Sequence, residues 1–511
     1  MNTASIWLFA LPLVASPLIY LAGRLCRAGQ VSDASQQRPC VIARWAALIA
    51  LGLTWIPFVL VARDLSMSGV SHFSLQTLNL RLGGSDIFLT LLTLRVDGLS
   101  LLLAAVALAL GTMVVLFSGP YMDGEVGEEK YYAMLVAMVG VMIGLGCTSD
   151  LFNMWVWFEA MAISSYMLVA FYREQPASLE AGVKYLVQSS TGSVLVLIGV
   201  ALVLAETGTL NLDLIRATAH ASPGLLAAGA LFIIGFGVKA ALVPMHTWLP
   251  DAHAQAPSGI SAMLSGVVIE AGLVALLRAL SALAGVTPSW GEFMMGFGAL
   301  NMLAGNLLAL RQAQVKRLLA FSSLSHMGYM LLGLGIGVYA GEVAGVQGGL
   351  FHLFNHGLMK GLAFLAAGAL LYALHIATGD HGPLTIADLN GASRRYPLAA
   401  LTLSLAVLGL GGLPPLAGFM SKWQIFVAGF ATHNLAIYAL VVFAALNSVL
   451  SLAYYAPLVN AVYRQQPSPA VQRGQPLPAA IVIPLVLMAL AVVAIGVWPG
   501  LMSWLTEPAG A

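Results

Sequence analysis

The chain has 511 residues, 59% of them hydrophobic and only 8% charged, with a formal net charge of +1. A soluble protein of ordinary composition carries about 25% charged residues, so this chain cannot clothe a water-facing surface, and its solvent is lipid. Near-neutral charge without clustered basic residues also excludes nucleic acid as a partner.

The first apolar run, Ile6 to Leu21, has Arg24 and Arg27 after it rather than before it and no small-residue cleavage site. That pattern predicts a first membrane helix, not a cleaved signal peptide. Crossing roughly 30 Å of hydrocarbon takes about 20 apolar residues. Fourteen runs qualify: 4–22, 41–62, 98–118, 131–148, 150–171, 183–205, 225–249, 257–283, 290–310, 317–339, 345–375, 397–428, 434–462 and 479–505. The fold class is therefore an all-α integral membrane protein of about fourteen transmembrane helices. Runs 345–375 and 397–428 exceed a simple span and call for tilt or a break. Residues 72–96 differ from the rest: apolar and polar side chains alternate about Gly83-Gly84, which predicts a short β-hairpin on the outer face. Asp97-Gly98 follows as an N-cap for the third helix.

With the N-terminus outside, the inner loops hold Arg24, Arg27, Arg38, Arg44, Lys130, Arg173, Arg311, Lys316, Arg317, Arg394, Arg395, Arg464 and Arg473. The outer loops hold only Arg63, Arg81, Arg95, Arg216 and Arg278. By the positive-inside rule this thirteen-to-five asymmetry predicts an even number of spans and both termini outside the inner (cytoplasmic) membrane. The remaining cations, Lys184, Lys239, Lys360 and Lys422, fall inside or at the edge of predicted spans, as do Glu159 and Glu270. Arginine stays at helix ends in this pattern, and lysine goes in.

A charge at bilayer depth costs at least roughly 2.5–3.5 kcal/mol, so each needs an explanation. An isolated lysine near a helix end is most simply a snorkelling or ion-pairing residue. Three mid-span lysines with two mid-span glutamates and several histidines point instead to a proton path. Lysine suits the task because burial disfavours its charged form and a nearby carboxylate restores it. Glu159, in WFEAMAISSY, and Lys239, in GFGVKAALVP, form the candidate pair. Lys239 precedes Pro244 by five residues, and Pro414-Pro415 with flanking glycines precede Lys422. Prolines inside helices remove backbone hydrogen bonds, and interrupted helices in two halves of a chain mark inverted-repeat transporters. A proline-kinked packing helix is the simpler alternative for either one alone.

Between the two breaks, FHLFNHGLMKG repeats His352, His356 and Lys360 every four residues, one polar stripe on an apolar helix. Histidine titrates near neutrality and can relay protons. His326, beside Ser322, Ser323 and Ser325, is a further candidate, although a lone histidine is more often an interhelical contact. Zinc is not expected at the stripe, because no thiolate or carboxylate accompanies it in sequence. Lys184, at a span entry, is a snorkelling candidate. His246, Asp251 and His253 sit at a predicted inner loop, either a proton entry or a helix cap. Cys26, Cys40 and Cys147 are far apart and offer neither cluster nor zinc spacing, so redox chemistry is expected in a different polypeptide.

These motifs resemble the antiporter-like membrane subunits shared by respiratory complex I, Mrp-type cation/proton antiporters and membrane-bound hydrogenases. The resemblance is carried by VKAALVPMHTWLPDAHAQAPSGISAMLSG, VKRLLAFSSLSHMGYM, FHLFNHGLMKGLAFLAAG and LPPLAGFMSKW. It implies two inverted five-helix repeats, helices 4–8 and 9–13, with helices 7 and 12 broken. The division is then 1–130 with helices 1–3 and the hairpin, 131–285, 286–465, and 466–511 with helix 14. The family's helix-5 glutamate falls on Glu159, its helix-7 lysine on Lys239, its helix-11 stripe on His352, His356 and Lys360, and its helix-12 residue on Lys422. Lys184 and His326 match recurrent polar positions, and His246 lies in the most specific stretch. Many members carry lysine in helix 8 where this chain has Glu270, which reverses the local charge and is compatible with sodium as well as protons. The end of the chain soon after span 14 implies no long lateral helix.

The resemblance implies a proton-translocating subunit of a redox-driven complex, without a cofactor of its own. Quinone, flavin and iron–sulfur centres would belong to partner subunits, beside other antiporter-like subunits in the bilayer. The alternative is a subunit of an Mrp-type antiporter or of a related inorganic-carbon uptake complex. A stand-alone solute carrier or scaffold is a third reading. A carrier should show a substrate-sized polar site, and a scaffold has no need of mid-span lysines.

Overall fold

A computed structural model describes residues 4–28, 41–68, 71–75, 78–82, 85–89, 92–379 and 382–510. Cys40, Arg38 and the Gly83-Gly84 turn lie outside the described residues. In hydrocarbon every backbone N–H and C=O must find an internal partner, which for this composition means helix. Helices α1 (Ala4–Ala28) and α2 (Val41–Ser68) are followed by α3 (Gly98–Tyr121), α4 (Glu128–Gly146), α5 (Leu151–Val169) and α6 (Pro176–Thr207). A short α7 (Leu212–Thr218) leads to α8 (Pro223–Lys239), α9 (Trp248–Gln255), α10 (Ser258–Met263) and α11 (Ile269–Ala282). Then come α12 (Trp290–Ala309), α13 (Val315–Ala340), α14 (Val343–Leu374), α15 (Pro397–Gly411) and α16 (Ala417–Ala431). The chain closes with α17 (Leu435–Val462), α18 (Pro469–Arg473), α19 (Ala479–Val497) and α20 (Ser503–Gly510). Among the described residues, ten helical stretches are long and apolar enough to cross a membrane.

Two predicted spans are interrupted. After α8 the chain turns through Ala241, at φ 54°, and a cis Val243–Pro244 bond before α9 resumes. Between α15 and α16, Gly412 takes φ 83°, and a cis Pro414–Pro415 bond follows. Glycine tolerates that left-handed conformation, and neither proline can donate a helical hydrogen bond. The other overlong run forms α14, 32 residues without a break, and it contains no proline. Run 257–283 is helical throughout but holds a π turn, Leu264–Val268, between α10 and α11, which no sequence signal announced.

Strand β1 (Ser71–Leu75) pairs antiparallel with β4 (Leu92–Val96), Ser71 opposite Val96, and β2 (Leu78–Leu82) pairs with β3 (Ser85–Leu89), Leu82 opposite Ser85. β4 runs into the cap of α3. Asp97 accepts from the backbone of Ser100 in a capping box, as its position before Gly98 suggested. Isolated bridges join Asp150 to Asn211 and Gln314 to Thr385, the first between the loops after α4 and α6, the second between those after α12 and α14.

Arg278 departs from the expected pattern. It lies inside α11, buried, and its guanidinium reaches both Asp97 oxygens (2.8 and 3.2 Å), Ser100 Oγ (3.0 Å) and the Gly146 carbonyl (2.7 Å). The explanation is local: Asp97 supplies the carboxylate that a buried guanidinium needs. Burial alone would raise the Asp97 carboxyl, but the Arg278 charge and the Ser100 hydrogen bonds hold it below the usual carboxylate value. One ion pair thus fastens the start of α3, the end of α4 and α11. Asp97→Ala, which leaves the guanidinium buried and unpaired, should lower stability by about 3–5 kcal/mol. Adding Arg278→Met should recover part of that loss, read as unfolding midpoints in detergent.

Candidate functional site

Lys239 closes α8 at the first break and is fully buried. Its Nζ donates to Tyr185 OH (2.7 Å) and Ser189 Oγ (3.4 Å) of α6 and lies 4.4 Å from the Tyr185 ring centroid. Trp248, the first residue of α9, stacks on Tyr185 at 3.9 Å, and its Nε1 donates to the Val238 carbonyl (2.8 Å). The break itself therefore positions the residue that holds the lysine's partner. Asn301 of α12 fills the gap, accepting from Val243 N (2.8 Å) and donating to Ala241 O (3.2 Å).

Glu159 does not touch Lys239. Its neighbour Phe158 places a ring 5.9 Å from the amine, while Glu159 Oε1 is buried with no protein hydrogen-bond partner among the described residues. The pair expected from the sequence is thus two groups facing one region of α5 and α8, not an ion pair.

In the centre, the stripe on α14 is fully buried, and its members meet α11, α13 and α16. Lys360 donates to the Leu319 carbonyl (2.7 Å) and to Ser322 Oγ on α13. His356 Nδ1 and Glu270 Oε1 of α11 share a hydrogen bond (2.8 Å), so the carboxyl group that sequence reading did not place beside the stripe is there, delivered by tertiary packing. His352 shares hydrogen bonds with His326 (3.1 Å) and with Ser421 Oγ (2.9 Å) of α16. Ser421 reaches the Gly418 and Ala417 carbonyls at 3.3 and 3.4 Å. A hydroxyl that donates to them accepts from His352 Nδ1, and His352 Nε2 then accepts from His326. Ser265 and Ser323 pair at 2.6 Å in the same layer. Among the described residues no group of three or more His, Cys, Asp or Glu side chains is arranged to hold a metal ion.

Lys422, 3% exposed, lies beside the second break. Its Nζ donates to the Leu410 carbonyl (2.9 Å), one of those freed where α15 ends, and to Ser448 Oγ (2.8 Å), and sits 4.5 Å from the Tyr329 ring centroid. Tyr329 is one turn along α13 from His326, so Lys422 and the histidines share a wall.

Other candidates separate from this line. Lys184 is about half exposed and paired with Glu180 (2.8 Å) and Asp251 (3.0 Å), and Asp251 also takes Arg317 (2.7 Å). That is a surface ion-pair cluster between α6, α9 and α13. His246 lies in the turn before α9, half-buried, with Nδ1 unpartnered among the described residues. His253 is corrected: it sits on α9, not in a loop, and is fully buried against Phe364 at 4.6 Å. Lys316 is also buried, although its sequence neighbours Arg311 and Arg317 read as a loop cluster. Its position i−3 and i−6 from the acceptors of Lys360 was the available signal.

A model of the family described as NADH:quinone oxidoreductase/Mrp antiporter, TM, matches residues 148–450. The chain is 35% identical over 422 residues to F(420)H(2) dehydrogenase subunit N of Methanosarcina mazei, covering 80% of this chain and 82% of that one. It is 30% identical over 467 residues to NADH-quinone oxidoreductase subunit N of Desulforamulus reducens, covering 89% and 94%. A chain in the structure of an archaeal membrane-bound sulfane sulfur reductase superposes with a TM-score of 0.84 at 28% identity, covering 100% of this chain and 97% of that one.

Glu270 and His356 meet because two glycines cross: a Cβ at Gly266 would lie 2.8 Å from the Gly357 carbonyl, and one at Gly357 would lie 2.7 Å from the Gly266 carbonyl and 3.2 Å from Glu270 Oε2. Gly357→Ala should force α11 and α14 apart, lower the unfolding midpoint and reduce activity of the intact assembly at least about threefold, an overpacking effect of roughly 1–3 kcal/mol. Thermal unfolding and ion-translocation assays on the same preparation would check both.

Proposed function

Since this chain belongs to the family of NADH:quinone oxidoreductase and Mrp antiporter membrane subunits, we propose that it moves protons across the membrane as an antiporter-like subunit of a redox-driven complex. The observation that carries the reading is the set of three buried lysines, Lys239, Lys360 and Lys422, each held by neutral donors and acceptors, with His326, His352, His356 and Glu270 clustered about the central helix α14. Lys239 takes the proton at the first break under the influence of Glu159. Lys360 and the histidines pass it through the centre, and Lys422 exchanges it with the outside. Water completes the gaps between these side chains, as it does in buried polar sites generally.

On this reading the molecule has fourteen crossings, the ten long spans together with α5, α12 and the two interrupted helices. Helices 4–8 and 9–13 form two inverted repeats. Several features recur at matching places: an interrupted fourth helix, a continuous third helix of 32 residues, and an isolated bridge joining the loop after the first helix to the loop after the third. The strand pairs lie on the outer face, both termini are outside, and the membrane is the inner one. The partners are other antiporter-like subunits and a redox module, which carries the quinone, flavin and iron–sulfur centres. The relatives named for F(420)H(2) and NADH–quinone chemistry favour electron transfer over an ion gradient as the driving force. In an Mrp-type complex the same side chains would serve a cation/proton exchange, and Glu270 would be the place to look for sodium.

Lys239→Ala and Glu159→Ala should each reduce proton translocation about tenfold or more while leaving assembly intact. Vesicles carrying the correctly assembled variants, assayed with a pH-sensitive dye, provide the measurement. Undiminished pumping in either would remove the mechanism. Proteins that co-purify with the tagged chain decide between the two driving forces: redox subunits support the first, and small antiporter subunits alone overturn it.

A further inference from the structure

Lys316 opens α13 and is 9% exposed, with its Nζ donating to the Ala256 carbonyl at the end of α9. Lys316 lines a cavity of about 360 Å³. Its wall includes Gln255, Ala256 and Gln314, and its mouth includes the exposed Arg173 and Glu174 in the loop after α5. Arg173, Arg311, Arg317 and Arg394 place that mouth on the cation-rich face. The volume admits several waters at roughly 30 Å³ each, and the lining is polar enough to hold them.

Two lines of polar groups lead inward from the cavity. Along α13, Lys316 is succeeded on the same side by the Leu319 carbonyl and Ser322, both acceptors of Lys360, then by Ser323 and His326. At 1.5 Å per residue, Lys316 to Ser322 spans about 9 Å. Along α9, one turn before Ala256, His253 is fully buried with both ring nitrogens unpartnered among the described residues. It stacks on Phe364, which is one helical turn beyond Lys360 on α14. A buried imidazole with no protein partner for either nitrogen calls for water, and the three residues that follow it, Ala254, Gln255 and Ala256, line the cavity.

We propose that this cavity is a proton intake port for the central lysine, with Lys316 and His253 carrying protons from the cation-rich face to Lys360 without passing Lys239. The inference rests on the proton-path reading and adds a second entrance to it. Each step moves one proton from a protonated oxygen or nitrogen to the lone pair of the next water, hydroxyl or neutral nitrogen, breaking one N–H or O–H bond and forming one N–H or O–H bond. Bulk water supplies the proton, and nothing is oxidised. Glu125 of the loop after α3 also borders the cavity.

The test uses the intact complex in vesicles. Lys316→Met keeps the aliphatic stem, and His253→Phe keeps the stack on Phe364. Each should lower proton translocation at least about tenfold, with assembly and partner electron transfer measured alongside. Lys316→His should retain transport with an altered pH profile, a change that a purely structural role would not produce. In Gln255→Cys, a membrane-impermeant thiol reagent applied from the cation-rich face should slow translocation relative to the same variant before treatment, with the treated parent chain as control. Full rates in assembled Lys316→Met and His253→Phe, or a labelled Gln255→Cys that pumps as before, would overturn the port. Lys360→Met, run in parallel, separates the two ideas. If it abolishes pumping while the port variants do not, only the port falls. If it pumps normally, the central path falls and the port with it.

Discussion

An ammonium or amine group taken out of water keeps its need for hydrogen-bond partners, and in this molecule that need organises everything around three helices' interiors. Lys239 is met by a phenol, a serine and aromatic faces, Lys360 by a carbonyl and a serine, and Lys422 by a carbonyl and a serine. None has a carboxylate within ion-pair distance among the described residues. Arg278 is treated in the opposite way, clamped by both oxygens of Asp97. A permanent buried ion pair is costly to break and fixes the charges of both partners. Neutral partners accept from an ammonium and tolerate an amine, so the charge on each lysine stays free to change. One buried arginine is thus locked in an ion pair, and three buried lysines are not.

The helix interruptions supply much of that accommodation. Ending a helix leaves its last carbonyls without amide partners, and here side chains take them: Trp248 the Val238 carbonyl, Lys422 the Leu410 carbonyl, Ser448 the Gly411 carbonyl (3.1 Å). Asn355 of α14 donates to the Ala417 carbonyl (3.0 Å) at the start of α16. The π turn ahead of Glu270 acts to the same end. An extra residue in the turn rotates the rest of the helix by part of a turn, and the first polar residue beyond it is the carboxylate that meets His356.

The sequence made the lipid setting, the span positions and the intramembrane lysines legible, because apolar run length and the cost of a buried charge are local properties. It also located both interruptions, since Pro244 and Pro414-Pro415 act on their own backbone. What it could not show was contact. Glu159 and Lys239 share a region without pairing, whereas Glu270 and His356, 86 residues apart, meet through a glycine crossing that no periodicity encodes. Lys316 and Arg278 were misread for one reason: both lie near a helix end, where composition says loop, and only the packing of α9 onto α13 or of α3 onto α11 buries them. Lys184 shows the converse, a lysine inside a predicted span that the fold leaves in a surface cluster.

The spacing inside the histidine cluster sets how it can carry charge. Ring centroids of His326 and His356 are 5.2 Å apart, and those of His326 and His352 are 5.3 Å apart. Two imidazolium ions at such a distance repel by about 3 kcal/mol at an effective dielectric near 20, on the order of a hundredfold in equilibrium population. Whatever a first charge costs in this buried cluster, a second would carry that further penalty. His356 has Nδ1 committed to Glu270, and its Nε2 has no protein partner among the described residues. Glu270 thus sets a carboxyl against the histidine cluster, in contact with His356.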